Sequence, residues 1–298
     1  MPSLILIAIA GFAAQFVDGA LGMGYGLTSS TLLIAVGLSP ALASASVHLA
    51  ELGTTAVSGI AHHRFGNVDW PTVRRIAVPG AIGAFLGATF LSHISTAAAK
   101  PIAGGILFLL GVYVLVRFLV GRAPRRRPGT PGLRMLLPLG LVGGFVDATG
   151  GGGWGPVTTP TLLADGRMPP NRVIGTVNTS EFLVALAASI GFLLGLGTAG
   201  IDLGIVLALL VGGVIAAPLA AWVVRHLNAR ILGVVVGGFI CVTNARLLLG
   251  AAGASSAVTW AVYATIVVVW CASVAWVIAV VRRERADREA PELTTTAA

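Results

Sequence analysis

The stretch from Phe16 to Leu33, FVDGALGMGYGLTSSTLL, decides how this chain folds. Asp18 opens it inside an apolar run; Gly19, Gly22, Gly24 and Gly26 follow, and then Thr28, Ser29 and Ser30. The same text returns from Phe145 to Leu162 as FVDATGGGGWGPVTTPTL. Asp18 and Asp147, Gly22 and Gly151, Gly24 and Gly153, Tyr25 and Trp154, and Gly26 and Gly155 each stand 129 positions apart. A glycine run breaks a helix, and a break at membrane depth bares N–H and C=O groups that lipid cannot satisfy. Such a break persists only where it faces protein or a watery cavity. Matched breaks in two halves of a hydrophobic chain point to a transporter's binding site.

The composition sets the class. Of 298 residues, 56% are hydrophobic and only 10% charged, with a mean hydropathy of +0.93. A soluble domain carries roughly a quarter charged residues, so the chain is an integral membrane protein and not a large soluble bundle. The net charge of +8 does not mark a nucleic-acid binder, because the basic residues flank apolar spans and form no stripe. Cys241 and Cys271 lie in apolar segments without metal or redox spacing and read as small buried hydrophobes. The first residues, MPSLILIAIAGFAAQ, lack the basic start of a signal peptide and read as mature structure. No GxxxxGK[ST] motif occurs, which argues against direct drive by ATP.

Apolar segments near 20 residues can cross roughly 30 Å of hydrocarbon as helices, whereas those of 10 to 15 cannot. The short ones, 3–17 with 26–37 and 136–147 with 156–164, flank the two breaks. Beyond the breaks the repeat continues, with Val47/Val177, His48/Asn178 and Glu51/Glu181 at an offset of 130. Asp69/Asp202, Gly80/Gly213 and Leu86/Leu219 follow at 133. Residues 1–121 and 135–250 are thus copies of one membrane unit. They are joined by a basic linker at 122–134 and followed by a final span and polar tail at 251–298.

Basic residues choose between two topologies. If each broken segment crossed the membrane once, Lys and Arg would divide evenly between the two sides. If each broken segment enters and returns on one side, the second copy is inverted. With the N-terminus outside, only Lys100 and Arg246 of the 19 Lys and Arg then remain outside. The expected architecture is therefore all-α and polytopic. It has two inverted repeats, each a re-entrant helical hairpin plus three transmembrane helices, and one extra C-terminal transmembrane helix. This makes seven full spans with the linker and the C-terminus cytoplasmic, and a tail at 282–298 without fixed structure.

Seven acids precede the tail. Asp69, Asp165 and Asp202 fall in loops or turns and read as local caps. Asp18, Asp147, Glu51 and Glu181 stand at membrane depth, where an ionisable group is expensive unless it is paired, hydrated or functional. The two aspartates read equally well as acceptors for the bare N–H groups of the breaks. His48 and Glu51 are three apart on one helical face with Ser44 and Thr55, a spacing at which histidine could pass a proton to the glutamate. These five, Asp18, His48, Glu51, Asp147 and Glu181, are the candidate proton-coupling residues. No metal or cofactor constellation emerges, since His62 and His63 have no second ligand cluster. Each hairpin's second arm starts with exposed N–H groups and a positive helix end, beside hydroxyls. Candidate anion-binding residues are therefore Gly22, Gly24, Gly26, Thr28, Ser29 and Ser30 in the first copy. In the second they are Gly151, Gly153, Gly155, Thr158, Thr159 and Asn178.

FVDGALGMGYG, its second copy FVDATGGGGWGP and the VNTSE segment resemble the sulfite exporter (TauE/SafE) family, also called the 4-toluene sulfonate uptake permease family. The resemblance spans nearly the whole chain apart from the last helix and tail. It implies a multi-pass protein of a bacterial-type inner membrane that moves small sulfur-containing or carboxylate anions such as sulfite, sulfoacetate or organosulfonates. His48 against Asn178 and Leu21 against Gly150 mark where the two copies part. The expected function is a secondary carrier for such anions, an exporter coupled to protons by alternating access. The partners are the anion, protons and lipid, with no nucleic acid and no cofactor. An anion channel is the alternative. An intramembrane enzyme using His48 and Glu51 is a further one, although the chain lacks a nucleophile motif.

Overall fold

The computed structural model describes residues 3–21, 23–121, 129–197, 201–223 and 229–289. Gly22, residues 122–128 of the linker and residues 290–298 of the tail lie outside the described residues. Among the described residues there are eleven helices and no strand. In order they are α1 (Leu4–Leu21), α2 (Tyr25–Ala35), α3 (Pro40–Arg64), α4 (Trp70–His93), α5 (Thr96–Val120) and α6 (Leu133–Gly150). Then come α7 (Trp154–Asp165), α8 (Pro170–Leu196), α9 (Leu203–Val223), α10 (Ala229–Ala251) and α11 (Ser256–Glu289).

Local chemistry sets the helix ends. Ser39, Asp69 and Ser95 each accept a hydrogen bond from the N–H three residues on, and Pro40 and Pro71 occupy positions where no donor is missed. Asp202 accepts from Gly204 N at 2.8 Å, and Asp165 pairs with Arg167 at 3.4 Å.

Polarity is distributed inside out. Ile5 and Leu194 are 72% and 73% exposed, while Glu51 and Asp147 are 2% and 1% exposed. In water that arrangement would forfeit the hydrophobic effect. In lipid the apolar exterior is neutral and the acids are hidden from hydrocarbon. Among the described residues six helices are long and apolar enough to cross a bilayer: α4, α5, α6, α8, α10 and α11. This set differs from the seven spans expected from the sequence. Helix α6 joins it because the helix starts at Leu133 and runs 18 residues, about 27 Å, past both ends of the apolar segment. Helix α3 has 25 residues, yet its Ser, Thr, His and Glu side chains lower its hydropathy. Helix α9 is apolar from Leu203 to Val223, and its described side chains end at Ala216. Part of the supposedly unstructured tail is also helical: α11 continues through RRERADRE to Glu289, where Arg230 of α10 meets Glu284 at 2.8 Å.

Helices from the two halves pack on each other through small residues. Helix α4 lies along α6 and α9 along α1, so closely that a Cβ at Gly83 or Gly144, or at Gly11 or Gly212, would strike the facing backbone. The contacts are copies. Gly11 abuts the Leu209 carbonyl and Gly140 abuts the Ile76 carbonyl, pairs related by the repeat offsets. Likewise Gly80 faces the Trp154 ring as Gly213 faces the Tyr25 ring. Helices α5 and α10 run antiparallel: Arg230 reaches the carbonyls of Phe118 and Leu119, and Cys241 approaches that of Phe108. Helices α3 and α8 do the same, with Asn67 bonded to Asn171 at 2.9 Å and Ser58 to Asn178 at 3.4 Å. Cys241 is buried as expected, but Cys271 is exposed on α11, whose outward face has no helix beside it to cover the thiol.

Candidate functional site

The breaks between α1 and α2 and between α6 and α7 meet. The Ser30 hydroxyl donates to the Gly151 carbonyl, and Gly152 lies on the backbone of Gly26 and Leu27. Gly155 in turn faces Met23. This approach requires glycine: Gly24, Gly151 and Gly152 have φ of 114°, 77° and 153°, values that side chains resist.

The aspartates hold the breaks closed. Asp147 Oδ1 accepts from Gly153 N at 2.6 Å and Trp154 N at 2.9 Å, and Asp18 accepts from the Tyr25 N–H. Each carboxylate therefore sits on the positive end of a second arm, the place that the sequence reading reserves for a substrate anion. The hydroxyls are also committed. Ser29 donates to the Tyr25 carbonyl and Thr158 to that of Trp154. Thr28 and Thr159 are buried, and their hydroxyls have no partner among the described residues.

His48 does not face Glu51 as its spacing suggests. Its Nδ1 donates to the Ser44 carbonyl at 2.7 Å, and its Nε2 lies 3.1 Å from Asp147 Oδ2. The Nδ1 proton is thereby fixed, and one more proton must lie between Nε2 and Oδ2, so the pair is neutral overall. Both groups are almost fully buried, and Phe192 packs on the imidazole at 6.0 Å. The relay from His48 to Glu51 has no nitrogen left to run through. The pair instead ties α3 of the first half to the break of the second.

The space that remains open lies on the first copy's side. Asp18, Glu51, Glu181 and Asn178, with Gln15, Tyr25, Thr54, Thr55 and Ser58, enclose a polar cavity of about 30 Å³, which admits a water or two. Glu51 Oε2 is buried there without a partner. Of the eleven candidate anion-binding residues that are described, only Asn178 borders this cavity, and Gly26 lies against Glu51; Gly22 is outside the described residues. Gln15, Thr54 and Ser58 are absent from the sequence reading, although the signal was present. Thr54, Thr55 and Ser58 follow Glu51 at three, four and seven residues, and Gln15 precedes Asp18 by three.

Residues 7–247 match the profile of the family described as "Sulfite exporter TauE/SafE". The chain belongs to that family. The "Probable membrane transporter protein YtnM" of Bacillus subtilis (strain 168) is 49% identical over 280 residues, covering 93% of each chain. A "Probable membrane transporter protein" of Xylella fastidiosa (strain Temecula1) is 28% identical over 256 residues, 78% of this chain and 92% of the relative. No solved structure matches it. As a TauE/SafE protein the chain is a multi-pass membrane transporter and not an enzyme, and its family implies a small anionic substrate.

Proposed function

We propose that this TauE/SafE transporter is a proton-coupled secondary exporter of small sulfur-containing or carboxylate oxyanions, sulfite among them. It works by alternating access in an inner membrane, with its N-terminus outside and its C-terminus cytoplasmic. The observation that carries this is the polar cavity beside the meeting breaks, bordered by Asp18, Glu51 and Glu181 and by the amide of Asn178. An anion repels a carboxylate, so its arrival favours proton uptake there, and opening to the other side releases both. The substrate then meets Asn178, the carboxyl O–H groups and the hydroxyls of Thr54 and Ser58, while Asp18 and Asp147 keep the half-helix ends in place.

The architecture in this proposal is a pair of inverted repeats, residues 1–121 and 135–250. The antiparallel pairs α5/α10 and α3/α8 support it, because copies pointing the same way would place those partners parallel. The recurrence of the α4/α6 contact as α9/α1 supports it too. Single cysteines at residues 2 and 129 check the orientation in intact cells. An impermeant thiol reagent added outside should label residue 2 and spare residue 129, and the reverse pattern overturns the orientation. The substrate reading is checked by thermal unfolding of the purified protein. Sulfite should raise the midpoint, since a ligand of the native state stabilises it. Asn178→Ala should abolish that rise, whatever the midpoint loses with the Ser58 bond. A midpoint indifferent to sulfite, sulfoacetate and organosulfonates alike would remove the proposed substrate class.

A further inference from the structure

A wide opening lies away from the central cavity, between α2, α5, α10 and α11, and measures about 1040 Å³. Its walls include Lys100 near the start of α5 and Arg246 near the end of α10, and no acid lines it. Both side chains are exposed, and neither makes an ion pair among the described residues. They are also the two cations that the charge distribution leaves on the side opposite every other Lys and Arg. The floor is polar. Asn244 Nδ2 donates to Thr31 Oγ1 at 3.1 Å and to the Ile240 carbonyl at 2.9 Å. Thr31 and Asn244 are each 1% exposed. Thr31 accepts this bond and lines the opening, and its own proton has no acceptor among the described residues. Trp260 and Tyr263 of α11, stacked edge to face at 6.4 Å, stand at the rim.

Two unpaired cations over a polar floor, with no carboxylate near, form a net positive hollow in an apolar surround. We propose that this groove is a second anion site, in which Lys100 and Arg246 hold a phosphate- or sulfonate-like oxyanion above Thr31 and Asn244. Arginine and lysine supply charge-assisted donors, and the Thr31 hydroxyl supplies a third direction of contact. Helix α2 connects the groove to the centre of the molecule: Thr31 directly follows Ser30, which holds the Gly151 carbonyl of the other break. The anion could come from solution or from a lipid headgroup; aromatic rings beside basic residues are common where headgroups lie.

The test uses the full chain in detergent. Sodium sulfate binding is followed by calorimetric titration, and retention of phosphatidylglycerol over phosphatidylcholine by native mass spectrometry. The variant is Lys100→Gln with Arg246→Gln, both exposed positions, alongside Thr31→Val for the floor. Loss of two charged contacts should weaken binding by about tenfold or more. Weaker sulfate binding with unchanged lipid retention supports the site and identifies a free oxyanion. Lost preference for phosphatidylglycerol with unchanged sulfate binding supports it and identifies the lipid. Loss of both supports a site open to either source. If the variants bind both probes like the parent, or the parent binds neither, the proposal is overturned.

Discussion

Gly152→Ala is expected to abolish transport and to destabilise the protein by about 3 kcal/mol or more. Two independent costs meet at this residue. Its φ of 153° lies where side chains are strained, and a Cβ would run into the backbone of Gly26 and Leu27. Backbone cannot swing aside as a side-chain tip can, so the two breaks would have to part. Gly153→Ala should cost less, because its φ of −143° is open to side chains and its Cβ would first meet the tip of a side chain, Val146 Cγ1 at 2.8 Å, with backbone no nearer than Asp147 N at 3.1 Å. Gly250→Ala, with nothing within 4 Å, serves as the unaffected control. Thermal unfolding and sulfite flux in liposomes read the series. Parental flux and stability in Gly152→Ala would mean that the contact between the breaks has no bearing on transport.

The residues that made the fold legible are those whose chemistry is expensive in lipid. Glycine runs, intramembrane acids and the separation of basic residues each carry a large penalty in the wrong place, so their pattern constrains the chain strongly. The 129-residue offset placed Asp18 and Asp147 on equivalent breaks, and both do cap them. Partner choice across the repeats was not legible. His48 shares a helical face with Glu51, but a face is wide enough to serve two neighbours, and α6 brings Asp147 within 3.1 Å of the imidazole. The hydroxyls of Ser29, Ser30 and Thr158 looked free in the sequence, yet Ser29 and Thr158 turn to a carbonyl of their own helix and Ser30 to Gly151 of the other break. Length misled at α6 and α11, where hydropathy ends before the helix does. The span count drawn from apolar runs followed composition, whereas helices follow hydrogen bonding and end at caps such as Gly151.

The pairing of His48 with Asp147 narrows where the proposed proton coupling can reside. Asp147 uses both oxygens, one on two backbone N–H groups and one on the imidazole, so a change in its protonation would unfasten the break itself. Asp18 likewise holds the Tyr25 N–H. Glu51 differs: Oε2 has no partner among the described residues, and the carboxyl borders the polar cavity. It can gain or lose a proton without breaking a structural bond. Glu51→Gln keeps the shape and fixes the neutral form, so the variant should still bind sulfite and still carry it down its own gradient. The acceleration that a pH difference gives the parent should vanish, with flux equal in its presence and absence. Liposomes loaded with sulfite, with and without that difference, make the measurement. A parental response in Glu51→Gln would move the coupling to Glu181, which faces the same cavity. A variant that binds no sulfite at all would make Glu51 a ligand of the anion and not its proton carrier.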